Sequence, residues 1–272
     1  MNPVLRALGV VVLAGALGIQ GFASSPLSGS ALSLPPSRAQ FDYQLGGQYP
    51  TPKGVTMVAR DSTDPPAPGI YGVCYVNGFQ SQPNVVWPSS LLLRTSSGKL
   101  LVDAGWPDEH IFDISSAAKR TVIAKRLSTD LHRCKKAGYK SVEFDNLDSY
   151  SRSHGALTLA NAIAFAQLLV AQAHAAGLAA AQKNTVELGA RGRLEVGYDF
   201  AITEQCDRFR ECAGFSKVYG ERVFNIEYVD NLRGTVSAVC ARLRANRSAP
   251  STIIRDRNLS PGGAAGYFYR AC

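Results

Sequence analysis

An α/β fold, a single-domain (β/α)8 TIM barrel, is predicted for this 272-residue chain on three observations. Short apolar, β-branched runs alternate with helical stretches along the body of the sequence. That body is roughly 230 residues long, close to the ~250 that a barrel uses as one unit. The competing arrangement, a doubly wound open sheet, opens on a Gly-rich first turn that is missing here.

The elements follow in order. Arg6, the apolar run Leu8 to Ile19 and the small residues Ala23, Ser24 and Ser25 read as a secretory signal peptide over residues 1–25. The apolar run falls short of the ~20 residues that span a bilayer. The expected product is therefore exported and extracellular, with no membrane segment in its mature form; an uncleaved anchor is the alternative. Residues 26–40, Ser/Pro-rich with Pro35-Pro36, read as a linker, and 41–272 as the barrel domain. Predicted strands run over 42–45, 55–59, 69–76, 141–145, 178–182, 200–204, 223–228 and 252–255. Helices are predicted over 116–136, 158–176, 186–194, 215–219 and 234–245. The second is the clearest, Ala/Leu-rich and stopped by Gly177. Leu91–Arg94 and Lys99–Asp103, joined by Ser96-Ser97-Gly98, read as a β-hairpin inserted after strand three.

Composition narrows the function classes. A 46% hydrophobic, 18% charged chain is not a disordered tail, a collagen or a coiled coil. The formal charge is +8, and losing residues 1–25 removes only Arg6, leaving +7. Arg and Lys are scattered without interleaved aromatics, so no nucleic-acid partner is expected. Six cysteines in an exported chain are free to pair. Cys206 with Cys212 would close a small loop and Cys240 with Cys272 would tie down the C-terminus, among 15 possible pairings.

In a barrel the chemistry belongs at the C-terminal ends of the strands, and acids recur there. Side chains alternate along a strand, so Glu143 and Asp145 share one face while Val142 and Phe144 share the other. Glu204 ends strand six, Glu227 and Tyr228 end strand seven, and Lys183 and Asn184 end strand five. Two carboxyl groups, one protonated and one ionised, are what glycoside hydrolysis needs. Trp87, Trp106, Tyr75, Tyr150 and Tyr228 offer apolar faces to sugar rings. The four histidines lie away from the strand ends and no H-E-x-x-H or G-x-S-x-G occurs, so neither a metal, another cofactor nor a serine nucleophile is expected.

The ordered segments Glu143-Phe-Asp-Asn-Leu-Asp-Ser-Tyr150, Ala173-His-Ala-Ala-Gly-Leu178, Gln182-Lys-Asn184, Asp199-Phe-Ala-Ile-Thr-Glu-Gln-Cys206, Glu211-Cys212 and Ile226-Glu-Tyr228 resemble glycoside hydrolase family 114. Upstream, Asp42-Tyr-Gln-Leu-Gly46, Cys74-Tyr75, and Gly105-Trp-Pro-Asp-Glu109 with Asp113 fit the same family. The resemblance spans Phe41 to Asp230. It implies a TIM-barrel endo-α-1,4-polygalactosaminidase, with the family's D-N acid on Asp145 and its E-Q-C acid on Glu204 as the catalytic pair. It places Asp42, Gln44, Tyr75, Trp106, Glu143, Asn146, Asp148, Tyr150, Lys183, Asn184, Glu227 and Tyr228 around the sugar. The expected partner is a galactosamine-containing polysaccharide, and a monomer is expected. Because such units are cationic, Asp42, Glu143, Asp145, Asp148, Glu204 and Glu227 are expected to form one acidic rim. Two alternatives stay open: a non-catalytic polysaccharide-binding barrel, and a hydrolase of another amino-sugar or α-galactoside polymer. Retention or inversion is also open, as is which of the two acids carries the proton.

Overall fold

Strands that bury both faces build the body of the molecule. The computed structural model describes residues 31–272; the expected signal peptide, residues 1–25, lies outside the described residues. The strands are β1 (Phe41–Gln44), β2 (Met57–Asp61), β3 (Tyr71–Asn77), β4 (Val102–Asp103), β5 (Trp106–His110), β6 (Ser141–Asp145), β7 (Ala179–Lys183), β8 (Phe200–Glu204), β9 (Val223–Tyr228), β10 (Ser251–Arg255) and β11 (Tyr269–Ala271). Eight of them pair in parallel in the order β1-β2-β3-β6-β7-β8-β9-β10, and β11 adds to β10 antiparallel. The barrel is near-closed. Across its seam Arg255 Nη1 donates to Asp42 Oδ1 at 2.9 Å, and the Tyr269 hydroxyl donates to the Phe41 carbonyl at 2.9 Å.

Alternation sorts the side chains into two layers. Phe41, Met57, Val73, Ala181, Phe200, Phe224 and Ile253 fill the barrel interior. Val142 and Phe144 point outward and share one buried cluster with Leu127 of α1 (Ala117–Ala137) and Phe165 of α2 (Leu159–Ala175). Both helices carry strong start signals. The Ser116 side chain accepts from the Lys119 backbone N–H, and Thr158 with Asn161 forms a reciprocal capping box. The remaining helices are α3 (Cys206–Phe209), α4 (Cys212–Tyr219) and α5 (Val236–Ala245).

Three departures from the predicted elements have physical reasons. The helix expected over 186–194 is two separate turns, a 3-10 turn Val186–Leu188 and a π-helical turn Gly192–Val196. A Cβ on Gly192 would stand 2.1 Å from Gln182 Oε1, so the chain there must hug β7 rather than continue a helix. The expected hairpin keeps its turn, with the Gly98 N–H donating to Thr95 O at 2.9 Å. Its paired strands are instead β4 and β5, with a register shift between Val102 and Asp103, because Leu93 and Leu101 also bond to Ile111 and give the insertion a third partner segment. Finally, the described part of the segment read as a linker lies along the foot of the barrel. Pro35 and Ala39 are buried, and the Tyr71 hydroxyl donates to Ser33 O at 2.7 Å.

The six cysteines pair as Cys74–Cys134, Cys206–Cys212 and Cys240–Cys272. Among the described residues no helix is long and apolar enough to cross a membrane.

Candidate active site

The C-terminal ends of β6, β7 and β8 converge on one ammonium group. Lys183 Nζ lies 2.8 Å from Glu143 Oε1, 3.2 Å from Asp145 Oδ1 and 3.4 Å from Glu204 Oε2. The inward positions of these strands alternate with outward ones that pack on the helices, which is why the charged residues fall on the same side. Immediately after each strand the chain turns through a left-handed residue: Asn146 (φ 63°), Asn184 (φ 45°) and Gln205 (φ 60°). Non-glycine residues accept that region only at a cost, least for Asn, and such strain collects where geometry is functional. Here it aims local donors back at the acids. The Asn146 backbone N–H donates to Asp145 Oδ1 at 2.7 Å, and Asn184 Nδ2 donates to Glu204 Oε2 at 3.1 Å.

Tyrosines complete the shell. The Tyr75 hydroxyl donates to Asp145 Oδ2 at 2.7 Å, the Tyr228 hydroxyl to Glu204 Oε1, and the Tyr43 hydroxyl to Glu143 Oε1 at 2.8 Å. Burial pushes the Asp145 carboxyl up, but Lys183, Tyr75 and the Asn146 N–H together outweigh it and hold it below the usual range. Burial pushes Glu143 up to about 7 against the pull of Lys183. Lys183 itself, though buried, is kept charged by Asp145, Glu143 and Glu204, its pKa well above the ordinary value.

Access separates the three acids. The side chains of Asp145 and Glu204 are 20% and 28% exposed, whereas Glu143 is 0% and Lys183 is 2%. Asp145 and Glu204 can meet a substrate; Glu143 and Lys183 lie beneath them as support. Both acids touch the same ammonium, so those two oxygens are no farther apart than the two distances end to end, about 6.6 Å. An ionised carboxylate and a second carboxyl held within that span suit acid-assisted cleavage of a sugar linkage.

The structure brings Asp145, Glu204, Glu143, Lys183, Asn184, Asn146, Tyr75 and Tyr228 together. Others it places elsewhere. Asp42 and Gln44 lie on the outer face of β1, where Gln44 Nε2 donates to Asp42 Oδ2 at 2.9 Å and Arg60 Nε to Gln44 Oε1 at 2.9 Å. Glu227 is outward on β9 and accepts the Asp207 N–H at 2.9 Å. Glu143, expected at the sugar, is sealed below it. Asp148 pairs with Arg152 at 2.8 Å, and Tyr150 donates to Glu187. Trp106 is exposed on the insertion, while Trp87 is core, its ring 4.3 Å from that of Phe112. Of the six acids expected to form a rim, Glu143, Asp145 and Glu204 gather around a lysine with Glu143 beneath, and Asp148 lies near enough to Asp145 for that charge to raise its carboxyl, after burial. Asp42 and Glu227 face away because each has found a buried polar partner on the other side of its strand. Among the described residues no group of three or more His, Cys, Asp or Glu is placed to hold a metal ion.

Three residues of the site were not selected from sequence. Tyr43 bridges Glu143 and Lys183, the latter at 3.0 Å. Its signal was the apolar pair Phe41 and Tyr43, the period-two partners that mark the inward face of β1. Asn77 and Glu109 bond to each other at 2.8 Å beside Asp145. Glu109 lies within a quoted family segment, but nothing local marked it out.

The family model for glycoside-hydrolase family GH114 matches residues 23–272. In three dimensions the chain is similar to the crystal structure of Aspergillus fumigatus Ega3 in complex with galactosamine: 22% identity, 89% of this chain and 99% of that one, TM-score 0.70. It is also similar to the glycoside hydrolase domain of PelA from Pseudomonas aeruginosa (18% identity, 80% and 94% covered, TM-score 0.52). An α-amylase from Lactobacillus plantarum shares the fold at 8% identity, with 85% and 76% covered and a TM-score of 0.52. No curated protein matches the chain in sequence.

Proposed function

The chain belongs to glycoside-hydrolase family GH114 and hydrolyses O-glycosidic bonds, and from that premise we propose that Asp145 is its nucleophile and Glu204 its acid/base on an α-1,4-linked galactosamine polymer. The observation that carries the assignment is that Asp145 and Glu204 are the exposed members of the Lys183 cluster and flank one another within about 6.6 Å. Carboxyls about 5–5.5 Å apart accompany retention, and those about 6.5–9.5 Å apart accompany inversion. A ceiling at the lower edge of the inverting range favours retention.

The steps follow. Ionised Asp145 attacks the anomeric carbon while protonated Glu204 gives its proton to the departing glycosidic oxygen. The sugar is then bound covalently to Asp145, and Glu204, now a carboxylate, takes a proton from the water that releases it. The Tyr228 hydroxyl donates to Glu204 in its ionised state, and the Asn184 amide keeps its orientation through both steps. A free amine lacks the acetamido oxygen that would serve substrate-assisted cleavage, so a galactosamine substrate requires two enzyme carboxylates. The galactosamine found with the Aspergillus relative supports this choice of sugar. We place the enzyme outside the cell, following the expected signal peptide.

The experiment is product analysis on galactosamine oligosaccharides with and without N-acetylation, for wild type, D145N and E204Q. Cleavage of the free-amine substrate with α products first, and a loss of ~10²-fold or more in both variants, is expected. Equal rates in wild type and both variants would end the catalytic assignment. Cleavage of the fully acetylated series alone would replace the substrate.

A further inference from the structure

The insertion contributes one carboxylate that the proposed mechanism does not use. Glu109 of β5 is buried, with 9% of its surface exposed, and Asn77 Nδ2 donates to its Oε2 at 2.8 Å. Asn77 Oδ1 accepts from Asn146 Nδ2 at 2.9 Å, and Asn146 Oδ1 accepts from Arg152 Nη2 at 2.9 Å. The chain of amides therefore runs from a group that only accepts to a group that only donates. That polarity leaves neither amide free to flip. Exchanging N and O on Asn77 would set oxygen against oxygen at Glu109 and nitrogen against nitrogen at Asn146.

Asn146 is the left-handed residue whose backbone N–H reaches Asp145 Oδ1 at 2.7 Å. Asn77 also stands directly opposite Asp145 in the β3–β6 register. The other strand of the insertion grips the same loop: Arg152 Nε donates to Asp103 Oδ2 at 2.6 Å, as does Gln80 Nε2 at 2.7 Å. We infer that Glu109 is a positioning residue for the nucleophile: by fixing the direction of the Asn77–Asn146 amide chain, it holds the Asn146 N–H on Asp145. The inference rests on Asp145 being the nucleophile.

The charged groups around Glu109 come from three elements: Asp145 of β6, Asp103 of β4, and Arg152 of the turn after β6. Burial is the largest influence on its carboxyl, Asn77 and Arg152 oppose it, the two aspartates add to it, and the result is about 7. Protonation gives Glu109 a donor and weakens the acceptor end of the chain. One oxygen of the protonated acid still accepts from Asn77, so the direction of the amide chain survives the titration.

The test compares kcat and KM for E109A and E109Q, with D145N as reference, on one galactosamine oligosaccharide. E109A is expected to lose about 10²-fold in kcat, the cost of a misplacement near 1 Å, at unchanged KM. E109Q keeps an acceptor oxygen for Asn77 and is expected to restore most of kcat. Wild-type kcat in E109A, a change confined to KM, or a loss that E109Q fails to rescue would each overturn the inference while leaving the catalytic pair intact. Full activity in D145N would instead remove the catalytic pair, and the inference with it.

Discussion

Asn184 holds Glu204 at two points: its Nδ2 donates to Glu204 Oε2 at 3.1 Å, and its Oδ1 accepts the Glu204 backbone N–H at 2.7 Å. One amide on the turn after β7 thus sets both the backbone and the carboxyl of the acid on β8. A hydrogen bond to a charged group is worth about 1.5–3 kcal/mol. N184A is therefore expected to lower kcat by about 10- to 100-fold at unchanged fold, read from steady-state rates and circular dichroism. A wild-type rate would show that Tyr228 alone suffices to orient Glu204.

Lys183 contacts three carboxyl groups from a nearly sealed position. K183M leaves those acids without their cation, and removing one partner of a buried ionic cluster costs about 3–5 kcal/mol. Asp145 would then lose the attraction that keeps its carboxyl low. The acid limb of activity is expected to move to higher pH, because Asp145, the proposed nucleophile, ionises later. A pH profile of kcat/KM for the variant checks the direction, and a limb that stays in place contradicts it.

Glu143 makes a prediction about stability. Its folded pKa is about 7 against an ordinary value of 4.5. The folded state therefore holds a proton that the unfolded chain has released, and unfolding stability falls as pH rises from about 4.5 to 7. Glu109 acts with the same sign. Melting temperatures across that range should decline in the wild type and decline less in E143Q. Parallel slopes would contradict the assignment.

Arg255 and Asp42 pair at 2.9 Å across the barrel seam with both side chains fully buried. R255M should cost about 3–5 kcal/mol by stranding Asp42, and R255M/D42N should recover part of that loss. Urea denaturation of the two singles and the double measures the coupling. Additive effects would show that the seam is held by other contacts.

Much of the barrel was legible in sequence. β6, β8 and β9 have the bounds their patterns predict, since each is a short run carrying β-branched and aromatic residues that stops before a polar turn. The site was legible where polarity and alternation agreed, as for Asp145, Lys183 and Glu204. It was misread on β1 and β9, whose two faces are both buried, so that alternation alone does not say which looks inward. Polarity then favoured Asp42 over Tyr43, although Asp42 owes its burial to an arginine 213 residues away. Glu109 stayed hidden for a related reason: its partner Asn77 lies 32 residues earlier, on a different sheet.

Local chemistry written into the chain decided where strands begin and end, how helices are capped, and which acids stand at strand tips, because each depends on neighbours within a few residues. The near-closed sheet decided which of those acids see solvent, which share a cation and which are spent on the seam. A charge survives burial only beside a counter-charge or donor, and the fold alone determines which distant residue supplies it.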